Sequence, residues 1–129
     1  MAAGLIFRGK RLLLVHNTKY SSLRVEPPGG KKNSDESSED AIVREIDEEL
    51  GIKVRPAKLF GIYDTQSPEG EFSVHMFLCK IISGTPKIKE PDKINGFKWY
   101  SFGELQQLEK SGSLVPNMSK ALPQLEQYL

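Results

Sequence analysis

The chain has 129 residues, of which 38% are hydrophobic and 27% are charged, with 18 basic and 17 acidic side chains. This length suits one domain, which we expect over residues 1–129, and the near balance of charge excludes a strongly cationic clamp for a nucleic acid polymer. A single cysteine, Cys79, excludes an internal disulfide.

The predicted elements begin with two short apolar runs, Ala2 to Phe7 and Arg11 to His16, which are joined by Arg8-Gly9-Lys10. This pattern predicts a β-hairpin. A short strand is predicted over Leu23 to Glu26. The sequence Pro27-Pro28-Gly29-Gly30 should end it in a turn, because two donors are lost and the backbone is freed.

A helix is predicted from about Ser38 to Leu50, with Ser37 or Ser38 as its N-cap and Gly51 as its C-terminal stop. It carries an apolar stripe at helical spacing, formed by Ala41, Ile42, Ile46 and Leu50.

Two strands, Lys58 to Asp64 and Phe72 to Ile82, are predicted on either side of a turn at Ser67-Pro68-Glu69-Gly70. A further short strand is predicted over Gly96 to Tyr100. Strands on both sides of one central helix predict an α/β fold with a mixed sheet.

The C-terminal part predicts two helices. Ser101 and Glu104 have the spacing of a capping box, which opens a helix to about Lys110. The last helix runs from roughly Asn117 to Leu129, and Pro123 should weaken its start.

No apolar run approaches the roughly 18 residues of a membrane span. The apolar start, Met1 to Phe7, precedes Arg8, whereas a secretory signal places its positive charge first. We therefore expect a cytoplasmic protein with no membrane partner.

The charges are unevenly placed, because residues 34–50 contain eight acids and one base. A solvated helix face and a site for a multivalent cation both fit this composition. Glu45, Glu48 and Glu49 stand at i, i+3 and i+4 on one helix face, where like charges repel unless a cation lies among them. Carboxylates suit Mg²⁺ or Mn²⁺, and such an ion keeps positions open for water and substrate phosphate.

The segment from Gly30 to Ile52 reads G-x5-E-x7-R-E-I-D-E-E-L-G-I. This string resembles the signature of the Nudix hydrolase family. It matches all nine defined positions without a gap: Gly30, Glu36, Arg44, Glu45, Ile46, Glu48, Glu49, Gly51 and Ile52.

The resemblance implies an α/β/α sandwich with a central mixed β-sheet, and a Mg²⁺-dependent hydrolase that splits a nucleoside diphosphate linked to another group. It implies Glu45, Glu48 and Glu49 as metal ligands, one of them acting as base, and the Gly29 carbonyl as a further ligand. Structural roles are implied for the signature residues Gly30, Glu36, Arg44 and Gly51.

Family members often add a metal-binding acid from a later loop. Glu90 is the candidate here, and an exposed loop acid is its alternative interpretation. Lys31 and Arg24 are candidate phosphate contacts or solvated side chains. The resemblance is also compatible with a homodimer.

The total length resembles MutT-like members, in which an Asn near the start of the last helix binds the purine. Asn117 occupies a similar place, with a plain helix N-cap as its alternative. Pro27 departs from the aromatic residue that such members often carry there.

Three functions remain open at this point. The first is a MutT-like nucleoside triphosphate pyrophosphohydrolase, which releases a nucleoside monophosphate and pyrophosphate. The second is an ADP-ribose or nucleotide-sugar pyrophosphatase, since a proline near Pro68 marks ADP-ribose pyrophosphatases in the family. The third is a nucleotide-binding sensor that has lost catalysis.

Overall fold

The computed structural model describes residues 1–17, 22–67 and 70–129. These residues form seven strands in one mixed sheet and three α-helices. The elements are β1 (Ala2–Arg8), β2 (Arg11–Asn17), β3 (Arg24–Glu26), β4 (Gly29–Gly30), α1 (Ser38–Leu50), β5 (Lys53–Ser67), β6 (Gly70–Ser83), β7 (Ile94–Tyr100), α2 (Phe102–Ser111), α3 (Pro116–Leu125) and a 3₁₀ turn, Glu126–Tyr128.

β1 lies at the centre of the sheet. It pairs in parallel with β6 and antiparallel with β2 and β4. The strands follow the order β3-β2-β1-β6-β5, with β7 also paired to β2. The predicted hairpin of the first two strands and the mixed sheet are both confirmed.

The sheet is covered on both faces. Because side chains alternate along a strand, Leu5, Leu12 and Leu14 pack on the face that holds α2 and α3. Ile6 and Leu13 pack on the opposite face, against the apolar stripe of α1. These three layers confirm the predicted α/β/α sandwich.

The bounds of α1 agree with the prediction because both ends are capped. The Ser37 hydroxyl accepts a hydrogen bond from the Asp40 N–H at 3.0 Å. Gly51 adopts φ of 68°, the left-handed conformation that glycine favours at a helix end. Capping at both ends fixes where the helix starts and therefore which side chains it presents to the sheet.

Two predictions around glycine and asparagine are wrong. Gly29 and Gly30 form β4 on β1 instead of a free turn, because their extended backbone pairs with Ala3 and Ala2. Asn117 is not the N-cap of the last helix, which begins at Pro116 with Val115 as its N-cap and no side-chain cap.

Other differences concern the lengths of elements. β5 begins at Lys53 and not at Lys58, since its irregular register lets it bend and continue pairing with β6. Pro123 lies inside α3. Within the described ranges, no helix is long and apolar enough to cross a membrane.

We predict that Ile6→Ala lowers the free energy of unfolding by about 2–5 kcal/mol, because it leaves a cavity where β1 packs against α1. The control is Ile62→Ala. Because Ile62 is 54% exposed, this change should lower the free energy of unfolding much less. Urea unfolding of both variants tests this expectation. Equal losses would contradict the assignment of the core.

Candidate active site

The acidic face of α1, defined as Glu45, Glu48 and Glu49, meets the sheet at β4. Glu45 and Glu49 are buried, with exposures of 7% and 3%, whereas Glu48 is exposed. Buried acids at two of these three positions exclude a fully solvated helix face. The helix therefore turns part of its charge toward the interior of the fold.

The main chain of β4 lies directly against these carboxylates. The Gly29 N–H donates a hydrogen bond to Glu49 Oε1 at 3.0 Å. At Gly30, a Cβ atom would lie 2.5 Å from Glu45 Cδ. Gly29 has φ of 155°, and a Cβ there would overlap the Ala2 carbonyl. Both positions need glycine for close approach of the backbone.

Arg44 ties the loop before α1 to the helix. Its Nε and Nη2 donate to the two carboxylate oxygens of Glu36 at 2.7 and 2.9 Å. The same guanidinium donates to the Lys31 carbonyl at 3.1 Å and to Glu45 Oε1 at 3.1 Å. A bidentate ion pair of this kind fixes the orientation of the guanidinium as well as its distance from the carboxylate. It orients the Glu45 carboxylate and places the loop beside it.

Burial among other acids governs the electrostatics of this region. The pKa of Glu49 is raised to about 8, chiefly by burial and also by the neighbouring Glu45 and Glu26 carboxylates, although the Gly29 N–H and the Lys93 charge act to lower it. Burial also raises the pKa of Glu26, whose carboxylate accepts a hydrogen bond from Asn17 at 2.8 Å. The region concentrates acidic groups that a cation would stabilise.

A turn after β6 brings a second acid to the same region. The Lys89 N–H donates to the Glu49 carbonyl at 3.1 Å, which docks this segment onto α1. Glu90 is partly buried, and its Oε1 is buried with no hydrogen-bond partner in the described part of the chain. An exposed loop acid is therefore the wrong interpretation of Glu90.

A cleft opens beside β4. It is lined by Met1, Ala2, Ala3, Arg24, Glu26, Pro27, Gly29, Gly30, Phe72, Val74 and Asn117. Asn117 is buried, and its Oδ1 has no hydrogen-bond partner among the described residues. This cleft has a volume of about 50 Å³. A separate polar cavity of about 590 Å³ has Phe72 in common with it and is also lined by Asp64 and Lys120. The larger cavity has room for a small polar ligand.

The oxygen donors of the region fit a hard divalent cation. Glu45 Oε2 and Glu90 Oε1 are both buried without a hydrogen-bond partner in the described ranges. Buried carboxylate oxygens with open lone pairs suit Mg²⁺ or Mn²⁺.

The carboxylates are held by separate partners. Glu49 faces the Gly29 N–H, while Glu45 and Glu48 face Arg44. Across residues 1–17, 22–67 and 70–129, no three acidic, histidine or cysteine side chains form a ready-made metal cluster. Binding of a cation by these carboxylates would therefore require movement of side chains, and Glu48 is the exposed one of the three.

The other predicted residues lie in different parts of the structure. Arg24 lines the cleft, and Gly51 is the C-cap of α1. Lys31 is exposed and contributes its carbonyl to Arg44. Pro68, the cue for nucleotide sugars, lies outside the described residues.

Two residues of the site were not predicted from the sequence. Glu26 is a lone acid in a short strand, and its position directly before Pro27-Pro28 was the available signal. Lys93 lies in a polar loop with 4.0 Å between its Nζ and Glu45 Oε2. No local pattern distinguishes it from other loop lysines, because only the folded turn brings it to the helix.

Comparison with known proteins places this geometry in a family. The model of the NUDIX domain matches residues 1–125. A putative 8-oxo-dGTP diphosphatase of Bacillus subtilis (strain 168) is 33% identical over 95 residues, covering 74% of this chain and 58% of the relative. An NAD-capped RNA hydrolase, NudC, of Pseudomonas putida is 27% identical over 111 residues, covering 86% of this chain and 39% of the relative. The chain thus spans 58% and 39% of the lengths of these two relatives.

Among solved structures, a MutT NUDIX hydrolase from Burkholderia pseudomallei superimposes with a TM-score of 0.71 and 29% identity. The match covers 80% of this chain and 82% of that chain. The layers and strand pairing described above are therefore shared with an experimentally determined member of the family.

We predict that Glu36→Gln destabilises the protein at pH 7 and that the difference disappears in acid. Hydrogen bonds from Arg44 and from the Asn33 N–H lower the pKa of Glu36 from 4.5 to about 2. A lowered folded-state pKa contributes stability that is complete above 4.5 and is lost as pH falls toward 2.

Urea unfolding of the wild type and Glu36→Gln at several pH values between 7 and 2 measures the difference. Glu39→Gln, an exposed change in the first turn of α1, is the control and should show a much smaller effect. A gap that is equally large at pH 7 and near pH 2 would refute the ion pair.

Proposed function

The chain belongs to the NUDIX family, and we propose that it acts as a Mg²⁺-dependent hydrolase that splits a nucleoside triphosphate into a nucleoside monophosphate and pyrophosphate. The main support is the burial of Glu45 and Glu49 against the Gly29–Gly30 main chain, at the edge of a cleft. Anionic side chains are rarely buried unless they are paired, and Glu45 has one carboxylate oxygen that no hydrogen bond in the described ranges serves.

In this proposal, the buried carboxylates of Glu45 and Glu49 hold the ion. The Gly29 carbonyl, Glu48 and Glu90 are the further donors. Bound Mg²⁺ supplies positive charge that offsets the charge of the pyrophosphate and makes an attacking water more acidic. Mn²⁺ has similar ligand preferences and is expected to replace it.

The residues of the chain then carry the remaining steps. A carboxylate of the acidic face of α1 accepts the proton of the attacking water. The water oxygen bonds to phosphorus, the bridging P–O bond breaks, and the leaving group keeps the electron pair. Arg44 keeps Glu45 oriented throughout, because its guanidinium is fixed by Glu36.

The cleft supports a nucleotide as substrate. The buried Asn117 Oδ1 is an open acceptor for an N–H group of a base. Arg24 and Lys31 lie on the β4 side, where they would contact phosphates. The Bacillus subtilis relative described as a putative 8-oxo-dGTP diphosphatase makes nucleoside triphosphates the first substrates to test.

A substrate panel with Mg²⁺ tests this proposal. We expect equimolar monophosphate and pyrophosphate from at least one nucleoside triphosphate, and no product when EDTA removes the metal. The panel includes the common triphosphates, 8-oxo-dGTP, ADP-ribose and UDP-glucose, with products identified by chromatography. AMP from ADP-ribose without triphosphate turnover, or tight nucleotide binding without any product, would contradict the proposal.

We predict that Glu49→Gln and Glu48→Gln each lower kcat by about 100-fold or more, because each removes a metal-binding charge or the proton acceptor. Folding should change little, since Gln retains an oxygen for the Gly29 N–H. Thermal unfolding checks the fold, and steady-state kinetics measure the loss.

Glu39→Gln is the matched control, because Glu39 belongs to the same helix but is exposed in its first turn. It should keep wild-type turnover. Near-full activity in Glu48→Gln and Glu49→Gln would remove the acidic face of α1 from the mechanism.

A further inference from the structure

The turn formed by residues 90–93 places a positive charge against the acidic face of α1. The N–H groups of Lys93 and Ile94 both donate to the Glu90 carbonyl, at 3.0 and 2.8 Å. These bonds fix the main chain of Glu90 and Lys93 relative to each other, while their side chains extend from the turn. Its neighbour Lys89 is bonded through its N–H to the Glu49 carbonyl, so the turn is docked on the helix.

The positive charge of the Lys93 ammonium acts on more than one acid of this region. Its Nζ lies 4.0 Å from Glu45 Oε2, which is buried and has no hydrogen-bond partner in the described part of the chain. The positive charge of Lys93 also acts on the carboxylates of Glu49 and Glu26. One lysine thus lies near three buried or partly buried acids, two from α1 and one from β3.

The geometry of this contact is loose. A separation of 4.0 Å is beyond hydrogen-bond length, and the Lys93 side chain is 43% exposed. A lysine carries a compact charge on a flexible stem with many rotamers. The ammonium therefore lowers the repulsion among the acids without being fixed to any of them, and it is free to move outward.

We propose that Lys93 is a built-in counter-ion of the metal site, which competes with the first divalent cation and moves onto the substrate phosphates when that cation binds. The inference rests on the proposed function, because it assumes that Glu45 and Glu49 hold a metal. An ammonium and a divalent cation close to the same carboxylate repel each other, so metal binding drives Lys93 away. The pyrophosphate is the nearest new anion that such a displaced ammonium would meet.

The proposal makes Lys93 a positioning residue for metal and substrate with opposite effects on the two. Removing its charge should strengthen metal binding, because a competing cation is lost. The same change should weaken substrate binding, because a phosphate contact is lost. A lysine with a purely structural role would produce neither pattern.

The test measures Mn²⁺ binding to Lys93→Gln by calorimetry in the absence of substrate. We expect the variant to bind Mn²⁺ about twofold to fivefold more tightly than the wild type, the upper part of the range for removal of one partly exposed charge. Lys93→Arg keeps the charge and should resemble the wild type. Lys89→Gln is the matched control, since its side chain lies over Gly51 and its charge acts on Asp47.

Steady-state kinetics provide the second readout, with KM for the substrate raised in Lys93→Gln and kcat changed much less. Thermal unfolding confirms that each variant is folded before its binding is interpreted. Mn²⁺ affinity that is unchanged or weaker in Lys93→Gln, while the wild type binds Mn²⁺, overturns the counter-ion role alone. Failure of the wild type to bind Mn²⁺ overturns the proposed function and this inference with it.

Discussion

The contact between the acidic face of α1 and the Gly29–Gly30 main chain is the constraint on which the site depends. The Glu49 carboxylate accepts a hydrogen bond from the Gly29 N–H. The Glu45 carboxyl occupies the space where any side chain at position 30 would lie. Because β4 is paired to the central strand β1, the carboxylates of Glu45 and Glu49 lie against a main chain that the sheet holds in place. A site built on paired strands holds its groups more accurately than one built on free loops.

Burying carboxylates costs free energy, and the surrounding residues offset only part of that cost. Arg44 supplies charge-assisted hydrogen bonds to Glu36 and Glu45, and one backbone N–H serves Glu49. Two oxygens, on Glu45 and Glu90, are left without a hydrogen bond in the described ranges. The remaining cost falls on oxygens near α1, and binding of a cation there would recover part of it.

The sequence allowed the central helix and its acidic face to be predicted because their signals are local. The cap at Ser37, the stop at Gly51 and the apolar stripe fix α1 within a few residues of chain. β4 escaped prediction because a two-glycine strand has no side-chain pattern, and its pairing with Ala2 and Ala3 connects distant segments. Lys93 escaped prediction for the same reason, since only tertiary docking brings it to Glu45.

The same difference between local and distant signals explains why the sequence indicates the family more directly than the substrate. The residues that would hold a metal lie within one loop and helix, and their spacing is fixed by helix geometry. The cleft is assembled from the N-terminus, β3, β6 and α3, with Glu26, Phe72 and Asn117 contributed by separate elements. Each of these positions can change without altering the capped helix or its contact with β4. Under the proposed function, ligand selectivity would be set by side chains that the signature does not constrain, and we propose that the open acceptor of Asn117 contacts the base.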